Sequence, residues 1–549
     1  MLDTIDLNAI QDENARQLIR QLLNLIEQLS ADLRKAQAEN QQLRDEINRL
    51  KGEQGQPPIK PNTRPAPALD HSSEKERRKP RQRHKGHKTA TIRIDREQVV
   101  EVERAGLPAD AEFKGYEDVV VQDILLKTDN VRFRKAKYYA PSTGQTYLAP
   151  LPSGYAGQFG PGVKALTLAL YFGMGASEPK IREFLTNAGV QVSDGELSNL
   201  LIKDQTRFHA EKDAVYEAGL RSSPWQHTDD TQTRVNGQNQ HCHVVCNPVY
   251  TAYHTCPTKE RLTVLDVLRN GRARSFRLNQ EALTYLAGVP LSKAARQVLQ
   301  TANSETVMDE STFHQALERW LPQLSAPARK AIRDAAAVAA YHAETDLPVL
   351  RVLICDDAPQ FNWLTAEMML CWIHEGRPYK KLLPVVPLHR QALDDFLKRF
   401  WEYYDQLLTY RQQPTPAEKV RLETAFDVLF ATRTGYDALD QRIAKTEAKK
   451  AALLLVLKYP ELPLHNNPAE LAVRQRVRKR DVSFGPRTSD GRKAWDTFMT
   501  LAATTKKLGV SFYAYVHDRI AGTQCIPPLA ELVAKAAKEL KLGWSWSTA

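Results

Sequence analysis

The sequence predicts a multidomain α+β protein: an N-terminal coiled coil, a small β region, a helical region, and an α/β core with helical insertions. Three observations carry this. Residues 15 to 50 hold an unbroken heptad seam of apolar residues. Two strand-like stretches, 225–248 and 347–364, carry paired aspartates. Long runs with helical periodicity separate and follow them. At 549 residues, the chain has room for three or four domains of roughly 150 residues each. A formal charge of +11 and a pI of about 9.2 favour an anionic partner, nucleic acid first. No apolar run is long enough to span a membrane, and the N-terminus carries no secretory segment. Six cysteines in so long a chain do not suggest a disulfide scaffold, so a cytoplasmic protein is expected.

The seam comprises Ala15, Ile19, Leu22, Ile26, Leu29, Leu33, Ala36, Asn40, Leu43, Ile47 and Leu50. With Ile19 at position a, isoleucine dominates a and leucine d. That pairing favours a parallel dimer, and one Asn at a fixes its register. A helix packed on its own domain is the alternative. Residues 1–52 are therefore expected to form an oligomerisation helix, giving a homodimer or higher homo-oligomer.

Residues 53–92 are rich in Pro, Gln, Ser and charge, the composition of a disordered linker. Eight Lys or Arg fall between Lys75 and Lys88. Arg77, Arg78, Lys79, Arg81 and Arg83 are candidate phosphate contacts, and a solvated tail is the alternative. Residues 93–160 turn to short alternating runs, IRIDREQVVEVE, EDVVVQDILL and RFRKAKYYAP, which predict strands of a small β region. No cysteine precedes Cys242, so a four-cysteine zinc module is excluded there. Residues 161–220 predict three helices, one opening with a Ser193–Glu196 capping box. This suits a helix-turn-helix DNA contact and an ordinary packing unit equally.

The stretch WQHTDDTQTRVNGQNQHCHVVCNP (225–248) predicts a β-hairpin turning at Asn236-Gly237. Asp229 and Asp230 stand in its first strand, where Asp is disfavoured and metal binding is a good reason for it. Neighbouring residues point to opposite faces, so one of the two faces the site. Strand alternation splits Cys242 and Cys246 from His241 and His243, so zinc is not expected. Residues 270–345 predict helices. In LPVLRVLICDDAPQFNWL (347–364), a buried strand delivers Asp356 and Asp357 at its C-terminal end, where α/β sheets place their chemistry. Residues 386–460 again predict helices, and so does 490–508.

HNNPAE (465–470) marks a helix start, since Asn caps and Pro fits the first turn. Glu470 falls in that first turn, with Arg474 and Arg478 on its face. Arg474, Arg476, Arg478, Lys479 and Arg480 make five of seven residues basic. A lone carboxylate bordered by a basic stripe suits work on a phosphate backbone, and a solvated charged face is the plain alternative.

This stretch resembles the third catalytic block of the insertion sequence 66 (IS66) family of transposases. His465, Asn466, Asn467 and Glu470 stand in that block's order, followed by the basic run and Ser483-Phe484-Gly485. His465 stands for the family's Asp and Leu471 for its Arg. Asp229-Asp230-Thr231 resembles the family's Asp-Glu-Thr, and Asp356-Asp357 its Asp-Gly. Cys371, His374 and Arg377 are similar to a Cys-x-x-His and Arg element of several D-D-E families, expected to support structure or contact DNA.

The resemblance implies a ribonuclease-H-like core over 221–521, with insertions near 270–345 and 386–460 and a C-terminal tail at 522–549. It implies that Asp229, Asp356 and Glu470 converge as catalytic residues and as ligands of two Mg²⁺ or Mn²⁺ ions, hard cations suited to oxygen donors. The implied activity is metal-dependent DNA cleavage and strand transfer by in-line phosphoryl transfer. Partners would be double-stranded DNA (transposon ends and target) and accessory proteins of the element, at the bacterial nucleoid. A transposase-derived DNA-binding dimer without catalysis, or a metal-dependent nuclease, are the alternatives.

Overall fold

The computed structural model describes residues 9–52, 92–103, 106–108, 111–155 and 157–546. The basic linker, with Arg77, Arg78, Lys79, Arg81 and Arg83, lies outside the described residues. The chain is mixed α+β, with helices the larger part.

Helix α1 spans Glu13–Leu50, and Asp12 caps it by accepting from the backbone N–H of Asn14 and Ala15. Its heptad seam stays open: Leu22, Leu29, Leu33, Leu43, Ile47 and Leu50 are all exposed. A different face is used within the chain, with Leu23 and Glu27 buried. The Glu27 carboxylate accepts from Val385 N at 3.0 Å and Val386 N at 2.7 Å. Asn24 bridges Gly435 O and Asp437 N.

The small β region is reduced to one hairpin, Lys137–Ala140 with Gln145–Leu148. The alternating runs in 93–126 form no strand among the described residues, contrary to the sequence expectation. Val119, Val121, Ile124 and Leu126 remain exposed. Alternation marks what a strand would bury, but a strand also needs a ladder partner and a covered face.

The central sheet has five strands: β1 (Trp225–Val235), β2 (Gln238–Asn247), β3 (Tyr250–Cys256), β4 (Val352–Cys355) and β5 (Glu367–Leu370). Its order is β3-β2-β1-β4-β5. The first three strands form an antiparallel meander, while β4 runs parallel to β1 and β5 parallel to β4. Asn236 and Gly237 close the β1–β2 turn with φ of 49° and 75°, the left-handed pair such a two-residue turn requires.

Alternate residues of β4 enter two cores. Leu353 and Cys355 pack with the helices 161–221 and 489–521, and Val352 and Ile354 pack with the helical insertion. A strand buried on both faces reads as a continuous apolar run, as VLIC does. The insertion carries α2 (Trp372–Lys380) and α3 (Pro387–Gln412), followed by helices at Pro416–Phe430 and Asp437–Glu447. Its aromatic residues, Trp372, Phe396, Phe400, Trp401, Tyr403 and Tyr404, fill that second core.

The helices at 178–202 join the first core rather than standing apart. The capping box is present there, with Ser193 N donating to Glu196 and Glu196 N to Ser193 Oγ. The 270–345 segment is helical as expected, ending in Ala326–His342, which buries Ala335 to Tyr341.

Candidate active site

Two strands, two helices and a loop build the site. Register places the first two carboxylates. His227 of β1 pairs with Ile354 of β4 in parallel. Asp229 lies two residues further along β1, and Asp356 is the first residue after β4, near enough that its charge bears on Asp229.

Helix α4 (Asn467–Ser483) delivers the third. Pro468 occupies its first turn and Glu470 follows there, as the sequence predicts. Asn466 stands at the N-cap position, where its carbonyl accepts from Glu470 N at 3.1 Å but its side chain makes no cap hydrogen bond. Instead its buried side chain locks the helix to β1. Asn466 Nδ2 donates to Thr228 O at 2.7 Å, and Asn466 Oδ1 lies 3.0 Å from His227 Nδ1. Its backbone N–H donates to Cys371 Sγ at 3.2 Å. Burial holds His227 down to about 3, so the ring is neutral and its Nδ1–H is the donor to Asn466. The chain position two residues before Asp229 is thus tied to the position four residues before Glu470.

Helix α2 supplies the remaining wall. Arg377 Nη2 donates to Glu470 Oε2 at 2.9 Å. His374 Nε2 lies 2.7 Å from Arg377 Nη1 and accepts from it. That leaves the Nδ1 side of His374 facing Glu470 Oε1 at 3.4 Å. Cys371, His374 and Glu470 offer ligand atoms within 4.8 Å of one another. Burial raises the Cys371 thiol to about 12, so it stays protonated and serves as a hydrogen-bond acceptor for α4.

The electrostatics favour an added cation. Burial pushes Asp229 up to about 7, with the charges of Asp356, Asp230 and Glu470 adding to it against one backbone hydrogen bond. Burial also raises Asp356, and the nearby His374 opposes the rise. Glu470 Oε1 is buried without a hydrogen-bond partner. Crowded carboxylates with an unsatisfied oxygen fit a hard divalent ion, which would lower these affinities for protons. Asp230 differs from its neighbour, because its Oδ2 accepts from Gln360 Nε2 at 2.9 Å. Asp357 pairs with Lys449 at 2.6 Å.

The basic run divides. Arg474 and Arg478 are exposed, as a phosphate track requires. Arg476 and Lys479 are buried, contrary to their expected role on DNA. Arg476 donates to Thr255 Oγ1 at 2.8 Å, lies 3.4 Å from Asp496, and stacks over Trp495. Lys479 Nζ lies 3.1 Å from the Tyr171 ring centre and donates to Ala176 O. The reason is helical phase: Ala469, Ala472, Arg476 and Lys479 share the face turned to the core. Arg480 is half-buried and donates to Gln232 O.

The model for the Transposase IS66 family matches residues 333–494. That span includes Asp356, Cys371, His374, Arg377, Asn466, Asn467 and Glu470, together with the α2–α4 geometry described above. The chain belongs to the IS66 transposase family. Asp229 and the hairpin lie outside the matched span. A further relative, the uncharacterized protein y4jO of Sinorhizobium fredii (strain NBRC 101917 / NGR234), is 33% identical over 326 residues, 59% of this chain and 100% of that protein. Membership in this transposase family accords with a DNA partner. No helix among the described residues is long and apolar enough to cross a membrane.

Sequence reasoning missed His227 and Gln360, which touch the site residues. His227 stood two residues before the motif, in a strand where a buried His reads as core.

Proposed function

We propose that this IS66-family protein is a DNA transposase that cleaves DNA ends and joins them to a target by metal-dependent in-line phosphoryl transfer. What supports the reading is that Asp229 in β1, Asp356 just after β4 and Glu470 on a helix locked to β1 are close enough for the charges of the other two to raise Asp229. The sheet order, an antiparallel meander with two parallel strands added beside β1, supports a ribonuclease-H-like core.

Asp229, Asp356 and Glu470 would hold Mg²⁺ or Mn²⁺, two ions as in other in-line displacements. When bound, such ions supply charge neutralisation at the reacting phosphate and a more acidic attacking hydroxyl. The protein's own residues do the rest. Arg377 and His374 hold Glu470 in place, Asn466 fixes the helix, and Arg474 and Arg478 lie along the path of the DNA backbone. Asp230, Asp357 and Cys371 hold neighbouring groups. The open seam of α1 suits a second copy, so that two active sites meet two ends.

The test is cleavage and joining of labelled ends of the parent element with Mg²⁺ or Mn²⁺, comparing wild type with Asp356→Ala. The expected result is nicking and joining by wild type, and DNA binding without cleavage by the variant. Metal-dependent cleavage retained by Asp356→Ala would contradict the assignment. Binding without cleavage by either protein would move the reading to a DNA-binding dimer.

A further inference from the structure

The far end of α4 meets the tip of the β1–β2 hairpin, and the two enclose a groove of about 830 Å³. Its lining includes Arg234 and Asn239 from the hairpin, and Arg480, Asp481, Phe484 and Arg487 from the helix end. Three arginines face one carboxylate. Arg480 is engaged with Gln232 O and lies near Asp481, whereas Arg234 and Arg487 are exposed.

Phe484 projects into solvent, 84% exposed. It is not a loose end. The residue sits in the left-handed region at φ 57° and closes the helix, with its N–H on Arg480 O at 2.7 Å. Gly485 then passes so close to β1 that a Cβ there would lie 2.7 Å from Arg234 O. Asn236 N donates to Pro486 O at 3.1 Å. The turn is pinned on both sides, and the ring stands on a fixed base.

Leaving a phenylalanine exposed forgoes the gain of burying its ring. An aromatic ring flanked by exposed arginines is the combination that binds unpaired nucleic acid, with the bases stacking and the phosphates pairing. Position along the helix gives the spacing. From Glu470 to Phe484 the helix rises about 21 Å at ~1.5 Å per residue, with Arg474 and Arg478 exposed between them. That distance equals roughly six nucleotide steps of ~3.4 Å.

We propose that this groove binds a DNA strand, Arg234 and Arg487 on its phosphates and Phe484 stacked on an unpaired base, about six nucleotides from the bond that is cut. The inference rests on the transposase reading for its orientation toward Glu470. Charge complementarity selects DNA over a second copy of this strongly basic chain.

The experiment uses the full chain without metal and two fluorescein-labelled duplexes of one sequence, one fully paired and one carrying a single unpaired adenine. Wild type is expected to prefer the unpaired-base duplex by roughly fivefold or more, the worth of one stacked base. Phe484→Ala removes the preference and Phe484→Trp keeps it. Arg234→Ala and Arg487→Ala weaken binding to both duplexes, and each lowers the salt slope by about 1.

Equal binding of the two duplexes by wild type, or a preference unchanged in Phe484→Ala, overturns the proposal. So does a Phe484→Ala change in oligomeric state without a change in preference, which assigns the groove to a second copy. Because the assay contains no metal, a protein that never cuts DNA still reports on the groove. A protein that cuts and joins ends while Phe484→Ala keeps the preference loses the groove and keeps the transposase reading.

Discussion

Arg474 and Arg478 share one helix with Arg476 and Lys479, yet the first pair faces solvent and the second faces the core. Composition cannot separate the pairs; only the phase of the helix does. Inside, the two side chains are held by Thr255, Asp496, Ala176 O and the rings of Trp495 and Tyr171. Outside, Arg474 and Arg478 face solvent. The basic run is therefore two sets of side chains, one that holds the helix to the core and one that stays on the surface.

Four variants test this division. The largest effect is expected at Arg476. Arg476→Ala leaves Asp496 without its cation and a void under Trp495, so the chain should lose about 3–5 kcal/mol in urea unfolding. A loss below about 1 kcal/mol would return Arg476 to the surface set. Next is Asn466→Ala, which strips the buried His227 ring of its partner and frees the start of α4. A loss of about 1–3 kcal/mol is expected, together with reduced cleavage at saturating DNA.

Lys479 gives a pH signature. Burial lowers it from 10.5 to about 7, only partly offset by Glu178. Between those values the unfolded chain holds a proton that the folded chain has lost. Stability should therefore rise with pH across that window, by up to about 1.4 kcal/mol per unit. Lys479→Met should flatten the rise, and an unchanged slope in the variant would refute the buried assignment.

The smallest effect on folding belongs to the outer pair. The double variant Arg474→Ala, Arg478→Ala should unfold within ~0.5 kcal/mol of wild type. Its DNA binding should lose about 2 from the log–log salt slope, close to 0.9 per phosphate contact. Unchanged salt dependence would remove both residues from the DNA path.

The division also marks how far the sequence could be read. Features written in local chemistry were legible: the Asn236-Gly237 turn, the Ser193–Glu196 box, the long helix of α1, the strand before Asp356, and the helix start at Pro468. Each follows from a turn residue, a cap or a period. Features set by distant partners were not. The runs in 93–126 alternate like strands but form no strand among the described residues. The four-residue β5 carries no turn signal of its own and exists because β4 lies beside it. Glu27 looks like any solvated position of a heptad, yet it accepts two backbone N–H groups from residues more than three hundred positions away.

One signal for the inner basic pair was present. Ala469 and Ala472 begin a small-residue face, and that face continues through Arg476 and Lys479. Following it would have placed those two cations inside.

In the proposed mechanism Glu470, held by Arg377 and His374, completes a carboxylate site with Asp229 and Asp356. The most direct measurement is Mn²⁺-dependent nicking of labelled element ends by wild type and by Glu470→Gln, at DNA concentrations that saturate both. The account predicts nicking by wild type, and binding without nicking by the variant, which keeps the shape of the side chain and loses its charge. Equal metal-dependent nicking by both proteins would contradict it.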